Sequence, residues 1–389
     1  MTTQLCQGVA PDNLVAAQSK YPRLKPALSA VLEQPLATWY TDRANYLSAA
    51  TQVVVKCAAG NGRASQLPVI VVYGLPGKDC AGTFSNQGTN ANSADYATFI
   101  SSLASAVGTQ PVLYVLEPDA VGLLADGADS CAWSNGYLAN MQAAMKTLTA
   151  TNPNALMYVD VGWWTFKNAT TMDAMLPIVD KLAAAGRLRG IAINTSNYRS
   201  NAQLLEYCTN FAAARPGYTC VFDTSRNYRG ASPAGEWCNA ETAALGIPPT
   251  SNTGSPLVDY YLWLKTPGQS DGLCNTGVSA DAMRGPPAGD FFERGFSMMW
   301  DNGYFVDKGL GTKLGEYAVP GQASGSSVSP IVWAIVAAVV VAAGAFIALG
   351  LVLKKRSNEK RHKVTLARVE EYQQRQRQVQ CASVNRDTL

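Results

Sequence analysis

Six short apolar runs recur along the first two thirds of the chain: Leu67–Tyr73, Val112–Leu116, Leu156–Val161, Gly190–Asn194, Thr219–Phe222 and Tyr260–Lys265. Successive runs begin roughly 30–45 residues apart, and Ala/Leu-rich sequence that favours helix fills much of the space between. The runs are rich in β-branched and aromatic side chains and lack polar alternation. They read as strands covered on both faces. Repeated βα units give this rhythm, so the fold class is α/β with a parallel sheet or barrel. Residues 1–40 read as helical, and no internal sequence repeat is visible.

Nearly every run ends in polar groups. The first leads to Asp79, the second to Glu117 and Asp119, and the third to Asp160. The fourth leads to Asn194, Asn197 and Tyr198, the fifth to Asp223 and Arg226, the last to Lys265 and Asp271. In a parallel arrangement these ends converge on one rim, the face where barrel enzymes place their sites.

Ile331 to Leu353 is an uncharged apolar run of 23 residues, long enough as a helix to span about 30 Å of hydrocarbon. Lys354-Lys355-Arg356 follows it and nothing basic lies just before it. The positive-inside rule then sets residues 354–389 in the cytosol and residues 1–330 outside, a single pass through the plasma membrane. The tail holds ten Lys/Arg against four acids, or +6, so the net +3 of the whole chain leaves residues 1–353 at −3. Nucleic acid is therefore no expected partner of the main body. Eight cysteines precede the span and Cys381 alone follows it, which suits an oxidised ectodomain and a reduced tail. The start, Met1 to Cys6, shows no basic or apolar leader features. Either the signal peptide lies outside this sequence or the start is mis-assigned. The expected organisation is an ectodomain over 1–318, a Gly/Ser/Pro stalk over 319–330, the span over 331–353 and the basic tail over 354–389, whose partner is unknown.

The single histidine, His362, falls in the tail. Ser–His triads, Cys–His dyads and His-based zinc sites are excluded from the main body. No P-loop, GxGxxG or Cys-x-x-Cys is present, and no metal or organic cofactor is expected. Carboxylates flanked by aromatics remain. Paired carboxylates do acid/base work on glycosidic bonds, and indole or phenol faces suit the apolar faces of sugar rings.

The residues that carry this pattern resemble glycoside hydrolase family 6, the cellobiohydrolases and endoglucanases that cleave β-1,4-glucan with inversion. The resemblance runs from about Pro35 to Tyr304. Tyr73–Ala81 resembles the family's YDLPxRDCAA segment, and Leu116-Glu117-Pro118-Asp119-Ala120 resembles IEPDS. Met157–Gly162 resembles MYLDAGH, Asn194–Tyr198 resembles TNVANY, and Asp223–Asn227 resembles DTSRN. Glu236–Asn239 resembles DWCN, and Leu264–Gly272 resembles VKPPGESDG. The resemblance implies a distorted parallel (β/α) barrel of TIM-like type. It implies that Asp119 is the general acid, that Asp79 is the neighbour whose charge raises the acid's pKa, and that Asp271 is the contested base. Tyr73 and Ser85 match residues that position the distorted sugar and a chain of waters. Trp39, Trp237, Lys265 and Asn197 match sugar-binding positions, with Trp163 and Gln269 at two more. Cys80–Cys131 and Cys238–Cys274 match the family's disulfides, and the other four cysteines are expected to pair as Cys6–Cys57 and Cys208–Cys220.

Some positions depart from the family pattern. Gly74 replaces an Asp, Trp163 a substrate-contacting His, Phe166 a Trp with Trp164 nearby as a substitute, and Gln269 a Glu. Asp160, Asp223 and Arg226 are expected to support the rim, as ion-pair partners or by bonding backbone, and Glu117 to support Asp119. Only Leu273 to Gly285 separates Asp271-Gly272 from Pro286-Pro287, shorter than the insertion that roofs exo-acting members, so an open cleft and internal cleavage are expected. Asn168-Ala169-Thr170 and Asn194-Thr195-Ser196 are glycosylation sequons, the second falling within the expected site. The reading is a membrane-anchored inverting β-1,4-glucanase at the cell surface. The alternative is a catalytically degenerate glucan-binding anchor or sensor, favoured by the changes at Trp163 and Gln269 and opposed by the retention of Asp79, Asp119 and Asp271.

Overall fold

The computed structural model describes residues 4–43, 45–58 and 65–315. Contacts divide the chain into a unit Met1–Val319 and a unit Pro320–Leu389, and every described residue belongs to the first. The stalk, the apolar run 331–353 and the tail lie outside the described residues. Among the described residues no helix is long and apolar enough to cross a membrane.

Seven strands form one all-parallel sheet in chain order: β1 (Thr38–Thr41), β2 (Val69–Tyr73), β3 (Val112–Leu116), β4 (Ala155–Asp160), β5 (Gly190–Ile193), β6 (Thr219–Asp223) and β7 (Val258–Leu262). Six of these fall on the apolar runs. The seventh, β1, corrects the helical reading of residues 1–40. That segment folds as helices Asp12–Lys20 and Lys25–Leu32, a 3-10 turn Pro22–Leu24, and then the strand Thr-Trp-Tyr-Thr. Pro35 ends helix-compatible sequence, and β-branched and aromatic residues take over.

Strand side chains alternate between two apolar layers. Val69, Val71, Leu113, Val115, Tyr158, Ala192, Val221, Tyr260, Leu262 and Leu264 share one cluster inside the curl. Their neighbours, such as Ile70, Val72, Val112, Tyr114 and Leu116, pack outward on the helices. Helices Ser93–Val107, Tyr137–Thr151, Ala169–Ala185 and Asn201–Ala214 fill the crossovers. Three begin on side-chain caps. Asn92 accepts from Ala94 and Asp95, and Asn168 with Thr171 and Ser200 with Gln203 form capping boxes.

The curl does not close by a full ladder. β1 and β7 meet at a single bridge, Leu36 to Trp263, with the Ala37 N–H donating to the Trp263 carbonyl at 3.2 Å. A third apolar cluster covers this seam. Leu14, Leu28 and Val31 from the first two helices meet Phe296 and Trp300 from helix Glu293–Asp301 around the wholly buried Trp263. Four disulfides join Cys6 to Cys57, Cys80 to Cys131, Cys208 to Cys220 and Cys238 to Cys274.

Candidate active site

At the carboxyl rim the inward positions turn polar. The wholly buried carboxylates of Asp160 and Asp223 are spent on backbone N–H groups and, for Asp160, the Thr195 hydroxyl. Asp160 accepts from the N–H groups of Asp119 (2.9 Å) and Gly162 (3.1 Å) and from the Thr195 hydroxyl (2.5 Å). Asp223 accepts from the N–H groups of Ser225 (2.9 Å), Leu264 (3.3 Å), Ser196 (2.9 Å) and Lys265 (3.0 Å). These two side chains pin the loops that carry Asp119, Asn197 and Lys265. Burial pushes Asp160 up to about 6, against the bonds from Thr195, Asp119 and Gly162 that hold it down.

β3 ends in a sharp break. Glu117 and Asp119 both take left-handed backbone (φ 47° and 71°) on either side of Pro118, which costs about 1–2 kcal/mol per residue outside glycine. The break sends the two acids to opposite sides. Glu117 turns into the protein, where it accepts from the Gly74 N–H (3.0 Å) and the Tyr96 hydroxyl (2.9 Å), and burial pushes it up to about 8. Asp119 opens to the cleft. Burial raises its pKa well above the ordinary value, and the negative charges of Asp160, Asp79 and Asp271 raise it further.

Asp79 sits on its own left-handed turn (φ 53°). Burial raises its pKa, and the N–H groups of Ser85, Phe84, Thr83 and Gly82 partly offset that rise by wrapping its carboxylate. Asp271 is the opposite case. Burial alone would raise it, but Arg226 (2.7 Å) and Lys265 (3.0 Å) hold it well below the usual carboxylate range. The Asn239 N–H (2.9 Å) and the Tyr198 hydroxyl (3.2 Å) also donate to it. Arg226 thus pairs with Asp271, not with Asp160 or Asp223, and its guanidinium also lies 4.4 Å from the Tyr198 ring centre.

These groups face a cleft of about 950 Å³, and all eleven residues singled out from the sequence line it: Asp119, Asp79, Asp271, Tyr73, Ser85, Trp39, Trp237, Lys265, Asn197, Trp163 and Gln269. Trp39 donates from its indole to the Leu264 carbonyl (2.7 Å) and meets Tyr73 edge-on. Trp237 is 39% exposed and has the Phe84 ring 5.9 Å away. Lys265 is buried, its ammonium shared between Asp271 and the Ser270 carbonyl (3.1 Å). Gln269 donates to Asn13 (3.3 Å). Of the two aromatics beyond Trp163, Trp164 lines the cleft, while Phe166 stacks on Tyr207 away from it. Trp164 fits because Gly122 is bare: a Cβ there would stand 2.3 Å from the indole. Asn194 of the second sequon is wholly buried, donating to the Asp223 carbonyl at 2.8 Å.

The cleft also holds Arg43, Phe84, Asp126, Lys167 and Arg199, which the sequence reading passed over. Phe84 directly precedes Ser85, and Arg199 follows Tyr198, so chain proximity to the quoted motifs was the available signal.

A curled parallel α/β sheet with carboxylates at its carboxyl rim and indole walls around them defines a carbohydrate-cleaving architecture. The chain belongs to glycosyl hydrolases family 6, whose model matches residues 9–303. It is 37% identical over 244 residues to endoglucanase 1 of Streptomyces sp. (strain KSM-9), covering 61% of this chain and 64% of that protein, so it spans less than two thirds of that relative's length. It is 29% identical over 333 residues to the probable 1,4-beta-D-glucan cellobiohydrolase C of Neosartorya fischeri, covering 72% of each. Among solved structures, the endoglucanase Cel6 of Mycobacterium tuberculosis in complex with a methyl-cellobiosyl-thio-cellobioside superposes with a TM-score of 0.63 at 28% identity, covering 77% of this chain and 97% of that one.

Proposed function

We propose that the chain is an inverting β-1,4-glucanase that acts from a membrane anchor at the cell surface. The observation that carries the reading is Asp119: a carboxyl group open to an indole-walled cleft, whose pKa is raised by burial and by three neighbouring acids. Such a group can give its proton to a leaving glycosidic oxygen at near-neutral pH. Water then attacks the anomeric carbon from the opposite face as the carbon–oxygen bond breaks, and its proton must leave. Asp271 is a weak acceptor because two cations already hold it ionised. Its carboxylate instead fixes the Arg226 guanidinium and the Lys265 ammonium at the rim. Asp79, with its raised pKa and its contact to Ser85, is the better end for a water chain. Tyr73, Trp39, Trp237, Asn197 and Gln269 hold the sugar rings.

The short segment between Gly272 and Pro286 supports an open cleft and internal cleavage, as does the resemblance to named endoglucanases. The apolar run 331–353 and its basic flank support the anchor and a cytosolic tail.

The test gives the full chain a soluble cello-oligosaccharide and reads the first product's anomer by proton NMR, with Asp119→Asn in parallel. An initial α-product that Asp119→Asn abolishes is expected. A wild-type chain that binds cellulose but releases nothing would put the glucan-binding anchor in the enzyme's place.

A further inference from the structure

The walls of the cleft differ in chemistry. Trp237 is partly exposed, its only ring neighbour among the described residues being Phe84 at 5.9 Å. Trp163 differs: the Arg199 guanidinium lies 3.4 Å from its ring centre, and the Lys167 ammonium lies 5.2 Å from the same centre. The indole N–H is also taken, donating to Asn197 at 3.1 Å. A sugar ring cannot stack on a face that a guanidinium already covers. What this stretch of wall presents is the donor edge of an arginine braced by an indole.

Arg199 is half-buried and makes no ion pair among the described residues. Burial accordingly lowers its pKa, with the Tyr207 phenol the one group acting against that. Lys167 has an acidic neighbour in Asp126, which bonds the Trp164 indole and feels the lysine's charge. Two cations against one carboxylate leave this stretch positive, beside a centre crowded with acids. The planar fork of a guanidinium matches a carboxylate on two hydrogen bonds, and no carboxylate among the described residues takes this one. A neutral hydroxyl offers one oxygen and no charge where a carboxylate offers two coplanar oxygens and a negative charge.

Resting on the glucanase reading, we propose that Arg199, stacked on Trp163 and supported by Lys167, forms a subsite for a carboxylate-bearing sugar unit, so that the preferred substrate is an acidic glucan, one carrying uronic or aldonic acid residues. Arg199 sets specificity and touches neither the proton donor nor its acceptor.

The test measures binding by calorimetry to the full chain carrying Asp119→Asn, which keeps ligands intact. The probes are cellopentaose, its aldonic acid, and a pentasaccharide of the same linkage with one glucose replaced by glucuronic acid. At low salt at least one acidic probe binds about tenfold more tightly than cellopentaose. The preference shrinks as salt rises. Arg199→Gln brings the acidic-to-neutral ratio to about one, and Arg199→Lys restores part of it. Cellopentaose binding with no acidic preference, or a preference that survives Arg199→Gln, overturns the subsite and leaves the glucanase reading standing. No binding of any probe defeats both.

Discussion

Asp271 shares one carboxylate between Arg226 and Lys265, all three side chains nearly closed to water. A buried pair that loses one partner leaves a charge without compensation. Asp271→Ala, which strips the shared partner from both buried cations, is therefore expected to destabilise the fold by about 3 kcal/mol, read from denaturant unfolding. Asp119 poses a different residue-scale question, because its raised pKa has several sources. Burial and Asp160 remain when Asp79 is changed, but one negative charge goes. A general acid works while protonated, so activity falls as pH rises through its pKa. Asp79→Asn should move the alkaline limb of kcat/KM to lower pH. An unmoved limb would mean that Asp79 does not act on Asp119. The carboxylates were legible in the sequence because each falls at the carboxyl end of a strand or in the loop that leaves it. The stack of Arg199 on Trp163 was not, because it joins the loop after β5 to the loop after β4 through side chains that no local pattern links.

At the scale of elements, the loop from Asp79 to Ser85 is wrapped around its own carboxylate, and Phe84 carries it to the other bank. Phe84 lies 5.9 Å from Trp237, ring centre to ring centre, and packs on the bare backbone of Gly272 (φ 137°), where a Cβ would come within 2.9 Å. Loops with few buried contacts open easily. Phe84→Ala removes a contact that spans the two banks. It is expected to raise the exchange rates of backbone amides 82–85 and to lower kcat/KM by up to about a hundredfold, the order that a misplacement of about 1 Å costs. Unchanged exchange would show that the wrap around Asp79 holds the loop unaided. The strands themselves were legible wherever a run was apolar on both faces. β1 was missed because Thr38–Thr41 is four residues long and mostly half-buried, so it looks like the tail of the helical segment before it.

For the whole molecule, opposed titrations set the pH of greatest stability. Burial pushes Glu117 up to about 8 and Asp160 up to about 6, from ordinary values of 4.5 and 3.8. Across those windows the unfolded chain releases protons that the folded chain keeps, so their contribution is full at low pH and is lost as pH rises toward 8. Asp271, held low, contributes above its ordinary value of 3.8 and loses that contribution as pH falls. The melting temperature should peak in mildly acidic solution. It should then decline by roughly 2–4 °C for each pH unit in which one group titrates, about 1.4 kcal/mol. Glu117→Gln should flatten the decline between pH 5 and 8. A profile flat over that range in the parent chain would show that Glu117 ionises freely. The rim as a whole was legible as a convergence of strand ends. The seam was not, since nothing in the runs tells where a curled sheet stops pairing.

That seam bears on how the protein is made. The first two helices emerge early from the ribosome, yet the residues that cover Trp263 with them, Phe296, Trp300 and Phe305, emerge almost at the end of the domain. Until then β1 and β7 have only one bridge to join them, and an indole that should be dry faces water. The seam is thus expected to close only when nearly all of this unit has been translated, and a nascent chain stalled before residue 296 is expected to be a client for chaperones.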